Sequence, residues 1–165
     1  MSLREAMQQH QATARKGNPA ECREPIAGTT VQSGGMRTEG RFGRHVVVID
    51  EPKVFGGEDT AVNPAEALLA AVAASVSVTI RCHAALQGIR VGRIQVKIAG
   101  DLDIRGFFDT DPAIRSGFQS VKIAVTIDSD APKEQLARVL AAADRGCPML
   151  DTCRGATPVT IELAQ

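Results

Sequence analysis

Apolar positions along the chain recur with two periods, and each period marks a kind of element. Residues 67–80 carry no charge. Asn63-Pro64 precedes that run, a good N-cap followed by a proline suited to the first helical turn. The pattern predicts a helix from Pro64 to about Leu86, ended by Gly88. Apolar side chains lie on nearly every side of it, so burial all round is expected, inside the fold or against a partner. Two stretches then alternate instead: Ile94, Val96 and Ile98 against Gln95 and Lys97, and Val121, Ile123, Val125 and Ile127. That is the period of half-buried strands. Between them "FFDTDPAIRSG" reads as a loop. A second helix is expected from about Pro132 to Arg145, with Leu136, Val139, Leu140 and Ala143 on one face and Gly146 at its end. "CPMLDTCRGATP" reads as a loop or turn, and Val159, Ile161 and Leu163 as a last strand.

The first third of the chain is more polar. Residues 2–15 read as a short polar helix, broken by Gly17, Pro19 and Pro25. Residues 29–49 suit a β-hairpin, with Gly34-Gly35 as the turn candidate and Val46–Ile49 as a β-branched run. A loop with Pro52, Gly56-Gly57 and Pro64 follows. Hairpin, helix, two strands, helix and strand make an α+β plan. The 165 residues suit one domain, with residues 1–25 as a polar helix and linker ahead of a domain at 26–165.

Composition narrows the function classes. Nineteen basic residues balance nineteen acidic ones, so no charge excess points to nucleic acid or to an anionic membrane. Five Phe with no Trp or Tyr offer little for base stacking. The N-terminus lacks an apolar targeting core. The uncharged run of 67–80 falls short of the roughly 20 residues a bilayer span needs. A cytoplasmic location is expected. Four cysteines, Cys22, Cys82, Cys147 and Cys153, are few for a disulfide scaffold and are expected to be thiols.

Candidate chemistry is sparse. Ser75 lies in the uncharged run without a nucleophile elbow, and a mid-helix serine ordinarily bonds back to a carbonyl one turn earlier. A serine hydrolase would also need a base, and only His45 and His83 lie in core elements. Cys147 follows a helix beside Arg145 and Arg154, a setting that suits either a reactive thiol or a small buried hydrophobe. Cys82, His83, Cys147 and Cys153 have no zinc-ligand spacing. Arg41 and Arg44 flank Phe42-Gly43 and are either solvated or ready to hold a polar ligand. Glu66, in the first helical turn, answers the helix dipole.

Four segments together resemble the osmotically inducible protein C / organic hydroperoxide resistance (OsmC/Ohr) family, in its OsmC-like branch. They are "RHVVVIDEPKVFGGEDTAVNPAEALLAA", "DLDIRGFFDTDPAIRSGFQSVKIAVTID", "RGCPMLDT" and the polar N-terminal helix. The resemblance implies an OsmC-like fold, an intertwined homodimer whose two central apolar helices are wrapped by antiparallel sheets from both chains. It also implies a peroxiredoxin-like hydroperoxide reductase. A peroxidatic cysteine on the central helix attacks an organic hydroperoxide, a resolving cysteine in the C-P turn forms a disulfide with it, and an arginine and a glutamate orient the peroxide. A lipoyl or other dithiol reductant resets the site, and no cofactor or metal is implied. Carried over by position, the resolving cysteine matches Cys147, the glutamate Glu66, and the arginine Arg44 or Arg41. The peroxidatic position falls eleven residues after Pro64, on Ser75.

An alcohol cannot reach a thiol's ionised fraction and has no accessible sulfenic state. Peroxidase activity is therefore expected to be lost or reduced. Ser75 marks a turn toward binding a small apolar ligand, an introduced Cys→Ser exchange, or a chain in which another cysteine works. Cys82 lies about two turns further on, roughly 10 Å away.

Overall fold

Two polar helices lead the chain, α1 (Leu3–Lys16) and α2 (Pro19–Cys22), in a computed structural model that describes residues 1–164. The segment expected only to break α1 also forms α2. Asn18 Oδ1 accepts from the Ala20 N–H at 3.1 Å and Pro19 opens the turn, which is a complete helix-start signal.

Residues 29–49 form three strands rather than one hairpin: β1 (Thr29–Gln32), β2 (Thr38–Phe42) and β3 (His45–Ile49), paired antiparallel in that order. Gly40 faces Thr30 on one side and Val47 on the other. The extra turn is Gly43-Arg44, where Gly43 takes φ 58°. A glycine at the first position of a two-residue loop reverses the strand without a Cβ clash.

The loop after β3 folds around one carboxylate. Asp50 is fully buried. It accepts hydrogen bonds from the Glu51 N–H at 2.9 Å, the Glu58 N–H at 3.3 Å, the Thr60 N–H at 3.1 Å and the Thr60 hydroxyl at 2.8 Å. Such a cage favours the ionised form. The Thr60 bonds lead in holding Asp50 below the ordinary carboxyl range, against the cost of burial.

Asn63 and Glu66 then start α3 (Pro64–Leu86) with a capping box. Asn63 Oδ1 accepts from the Glu66 N–H at 2.9 Å, and Glu66 Oε2 accepts from the Asn63 N–H at 3.0 Å. The far end closes on Gly88 at φ 72°. Its N–H donates to Ala85 O at 3.1 Å, and the Ile89 N–H donates to Ala84 O at 2.9 Å. Both bonds of a Schellman motif are present.

The chain divides into two compact units. One is Glu5–Ala71, with the three-stranded sheet. The other is Met1–Arg4 with the chain from Val72 onward, and it holds the hydrophobic core. There β4 (Ile94–Asp101) pairs antiparallel with β5 (Ser120–Ile127), Ile98 opposite Ile123. Their inward isoleucines and valines pack on Val72, Val76, Ile80 and Ala84 of α3 and on Val139 and Ala143 of α5 (Lys133–Gly146). The β4–β5 connection, expected as a loop, contains the single turn α4 (Ile104–Phe107) capped by Asp103.

Two expectations are corrected, and a third is met in part within one chain. The chain itself buries one stripe of α3 at four-residue spacing, while Val78 is 61% exposed. A single sheet and one helix cover only one side of a cylinder. With 23 residues, α3 also has the length and composition of a bilayer span, although here it is the core helix. Residues after Cys147 form a helix, α6 (Pro148–Arg154), because Pro148 occupies its first position. The last strand is not formed among the described residues. β4 and β5 pair only with each other, and Val159, Ile161 and Leu163 stand 81%, 96% and 92% exposed.

Asp50 ties loop order to pH. Its folded-state pKa lies below the unfolded one, so its stabilisation is present above the ordinary carboxyl value and is lost as pH falls through the lowered one. Asp50→Asn is expected to lower the melting temperature by several degrees near neutral pH and to flatten the acid limb. Thermal melts from pH 7 down to pH 2 check both.

Candidate functional site

Hydroxyl side chains on α3 divide into two kinds. Ser77 Oγ donates to Ala74 O at 2.9 Å and Thr79 Oγ1 donates to Ser75 O at 2.8 Å. These are the back-bonds expected of mid-helix hydroxyls. Ser75 Oγ instead meets Cys147 Sγ at 3.2 Å.

Cys147 is brought there by a corner. It is the first residue after α5 and the last before α6, with extended backbone at φ −81°, ψ 113°. Helix α5 is fixed to the core by Val139 and Ala143, and α6 by Leu150. The thiol is therefore turned inward and is 1% exposed. Gly146 makes the approach possible, since a Cβ there would sit 3.0 Å from His83 Nε2. Ser75, Thr79 and His83 recur every four residues, so they form one polar stripe along α3 toward this corner.

Burial pushes the Cys147 thiol up. Hydrogen bonds from the Ser75 hydroxyl, the Leu150 N–H, the Thr79 hydroxyl and the Met149 N–H outweigh it, leaving the thiol below its ordinary value. Thr79 has a single proton, shared with the Ser75 carbonyl, so Ser75 and the two backbone amides are the firmer donors. A depressed thiol can serve as nucleophile or redox group. An alcohol beside it can donate or accept a hydrogen bond but has no thiol redox chemistry.

Of the five residues the sequence singles out, the structure brings Ser75 and Cys147 into contact. Glu66, Arg41 and Arg44 belong to the other compact unit. The Glu66 carboxylate is engaged in the capping box, nine residues before Ser75. Arg41 pairs with Glu39 at 3.0 Å on an exposed surface, and Arg44 sits in the exposed Gly43-Arg44 turn. All four cysteines are free. Cys82 lines a different cavity of about 230 Å³ with Leu3, Ser77, Val78, Arg81 and Ile94. Among the described residues no group of three or more metal-ligating side chains is gathered. Sequence reasoning missed Thr79, whose signal was its four-residue spacing from Ser75. It also missed the Asp144–Arg154 pair at 2.8 Å across the corner.

Solved structures with this architecture include OsmC-like proteins. An OsmC-like protein from Mycoplasma pneumoniae superposes with TM-score 0.65 at 17% identity, over 81% of this chain and 88% of its own. An organic hydroperoxide resistance protein OsmC from Legionella pneumophila gives 0.61 at 22% identity, over 80% and 90%. An OsmC-like protein of unknown function from Vibrio cholerae gives 0.66 at 13%, over 79% and 94%. No curated protein sequence matches significantly. The family model for OsmC-like protein matches residues 56–162, and the chain belongs to that family.

Two substitutions test the local geometry. Ser75→Ala removes the first donor to the thiol, so the pH at which Cys147 ionises is expected to rise, as read by alkylation rate against pH. Glu66→Ala breaks the capping box and is expected to destabilise the chain by about 1 kcal/mol, whereas Glu66→Gln keeps most of it. Denaturant melts separate the two.

Proposed function

We propose that this chain keeps the pocket of a thiol peroxidase acting on organic hydroperoxides, with its two-thiol cycle lost or strongly reduced. Ser75 takes the place of the peroxidatic cysteine and Cys147 that of the resolving cysteine. The observation that carries the reading is the 3.2 Å contact between these two side chains. A resolving thiol must reach the sulfur it condenses with, and here it reaches an alcohol. Glu66 and Arg44 or Arg41 are the remaining polar groups of the pocket, gathered in a homodimer. The exposed flank of α3 at Val78 and the unpaired apolar alternation of Val159, Ile161 and Leu163 support a second chain, since such surface is seldom left to water. A dithiol serves as reductant, and the protein works in the cytoplasm. Neighbours named for organic hydroperoxide resistance favour the substrate class.

A second reading has its own support. The cavity beside Cys82 has an apolar lining of Leu3, Val78 and Ile94, which suits a binding protein for a small hydrophobic ligand.

Consumption of an organic hydroperoxide with a dithiol separates them. In Ser75→Cys, the thiolate would attack the peroxide, forming an S–O bond as the O–O bond breaks and the alcohol leaves. Cys147 would then displace water to close the disulfide, which the dithiol reduces. Turnover in Ser75→Cys alone is expected, at least about a hundredfold above the chain with Ser75. Equal turnover in both would assign the chemistry to Cys82 or Cys147. No turnover in either favours the binding protein.

A further inference from the structure

The cavity beside Cys82 lies outside the Ser75–Cys147 contact. It measures about 230 Å³, and every residue lining it belongs to the compact unit that holds the core. The first turn of α1, the second half of α3 and the start of β4 wall it. Leu3, Val78 and Ile94 make those walls apolar. The N-terminal turn is seated by more than Leu3. Arg4 crosses to the end of α3, where a Cβ on Gly88 would lie 3.4 Å from its Nη1.

One charged group interrupts the apolar lining. Arg81 lines the cavity, and its guanidinium is fixed at the β4 rim. Its Nη2 donates to Gly92 O at 2.7 Å and its Nη1 to Val91 O at 3.2 Å. Gly92 stands two residues before Ile94. Carbonyls hold the fork without neutralising it, and among the described residues no carboxylate pairs with Arg81. A guanidinium has five N–H donors, so these two bonds leave others for a ligand. The remaining polar groups offer less. Ser77 Oγ is engaged with Ala74 O at 2.9 Å, and a thiol such as Cys82 is a weak donor.

We propose that this cavity binds a small amphiphilic carboxylate, its head group on Arg81 and its aliphatic tail against Leu3, Val78 and Ile94. A planar guanidinium matches a carboxylate bidentately, and one already held in place loses little freedom on binding. Volume sets the tail length. An apolar cavity of roughly 150 Å³ takes one benzene ring, so about 230 Å³ suits a chain of about six to eight carbons.

This inference deepens the binding reading, which asks only for a hydrophobic ligand, and it is independent of any chemistry at Cys147. Calorimetric titration of the full chain with octanoate and with 1-octanol near neutral pH tests it. Octanoate is expected to bind more tightly than 1-octanol, and to slow alkylation of Cys82 as followed by peptide mapping. Arg81→Gln is expected to weaken octanoate roughly fivefold or more while leaving 1-octanol within about twofold, and Arg81→Lys to keep part of the preference. If Arg81→Gln does not fold, as judged by circular dichroism, Arg81→Met carries the same test. Val78→Phe fills the cavity and is expected to weaken both probes. Equal binding of the two probes, or a preference that survives Arg81→Gln, overturns the carboxylate assignment and leaves the binding reading standing. Octanoate binding unchanged in Val78→Phe puts the site elsewhere and also overturns it. No binding of either probe overturns the inference and the binding reading together, and a Cys82 closed to alkylation then means that a second copy of the chain covers the cavity.

Discussion

Burial of one stripe on α3 fixes everything that follows in its compact unit. Val72, Val76, Ile80 and Ala84 face the isoleucines and valines of β4–β5 and the buried side of α5. Each buried Val or Ile is worth about 1.5–3 kcal/mol, so the rotation of α3 about its axis is strongly determined. That rotation aims Ser75, Thr79 and His83 at the end of α5. The α5–α6 corner, anchored by Val139, Ala143 and Leu150, then has one place to put its thiol. Sulfur meets serine because of a packing constraint, and chemistry is layered on it.

Layered on that contact is a conflict between burial and hydrogen bonding. A thiol at 1% exposure should resist ionisation, yet the donors around Cys147 win. A purely structural cysteine has no need of such donors. Serine at position 75 gives the thiol a hydroxyl partner and supplies no second sulfur for a disulfide. Under the proposed function, the arrangement is that of a redox pair with one redox member.

Local patterns in the sequence were readable where one segment decides its own structure. Asn63, Pro64 and Gly88 bracket α3 without tertiary help, and the alternation in β4 and β5 is unambiguous. The count from Pro64 to Ser75 and the Cys-Pro turn at Cys147 came from the family resemblance, and the structure brings those two side chains together. What was hidden depends on distant partners. Val159–Leu163 alternates like a strand, but alternation names a face and supplies no neighbour to pair with. Residues 148–154 read as a loop in the sequence because seven residues are too few to show a helical period, although Pro148 stands at the first position of α6. Contact between side chains 72 residues apart has no local signature. Neither has the return of Arg154 to Asp144 across the corner. The Glu66 cap is different, since Asn63 and Glu66 stand three residues apart, the spacing of a capping box.

The central claim is that positions 75 and 147 form a disulfide pair from which one sulfur is missing. Mass spectrometry of Ser75→Cys treated with one equivalent of organic hydroperoxide tests it most directly. The account predicts rapid loss of the mass of two hydrogens, with peptides mapping the new bond to positions 75 and 147. A sulfenic acid or higher oxide at position 75, with Cys147 still free, would contradict it.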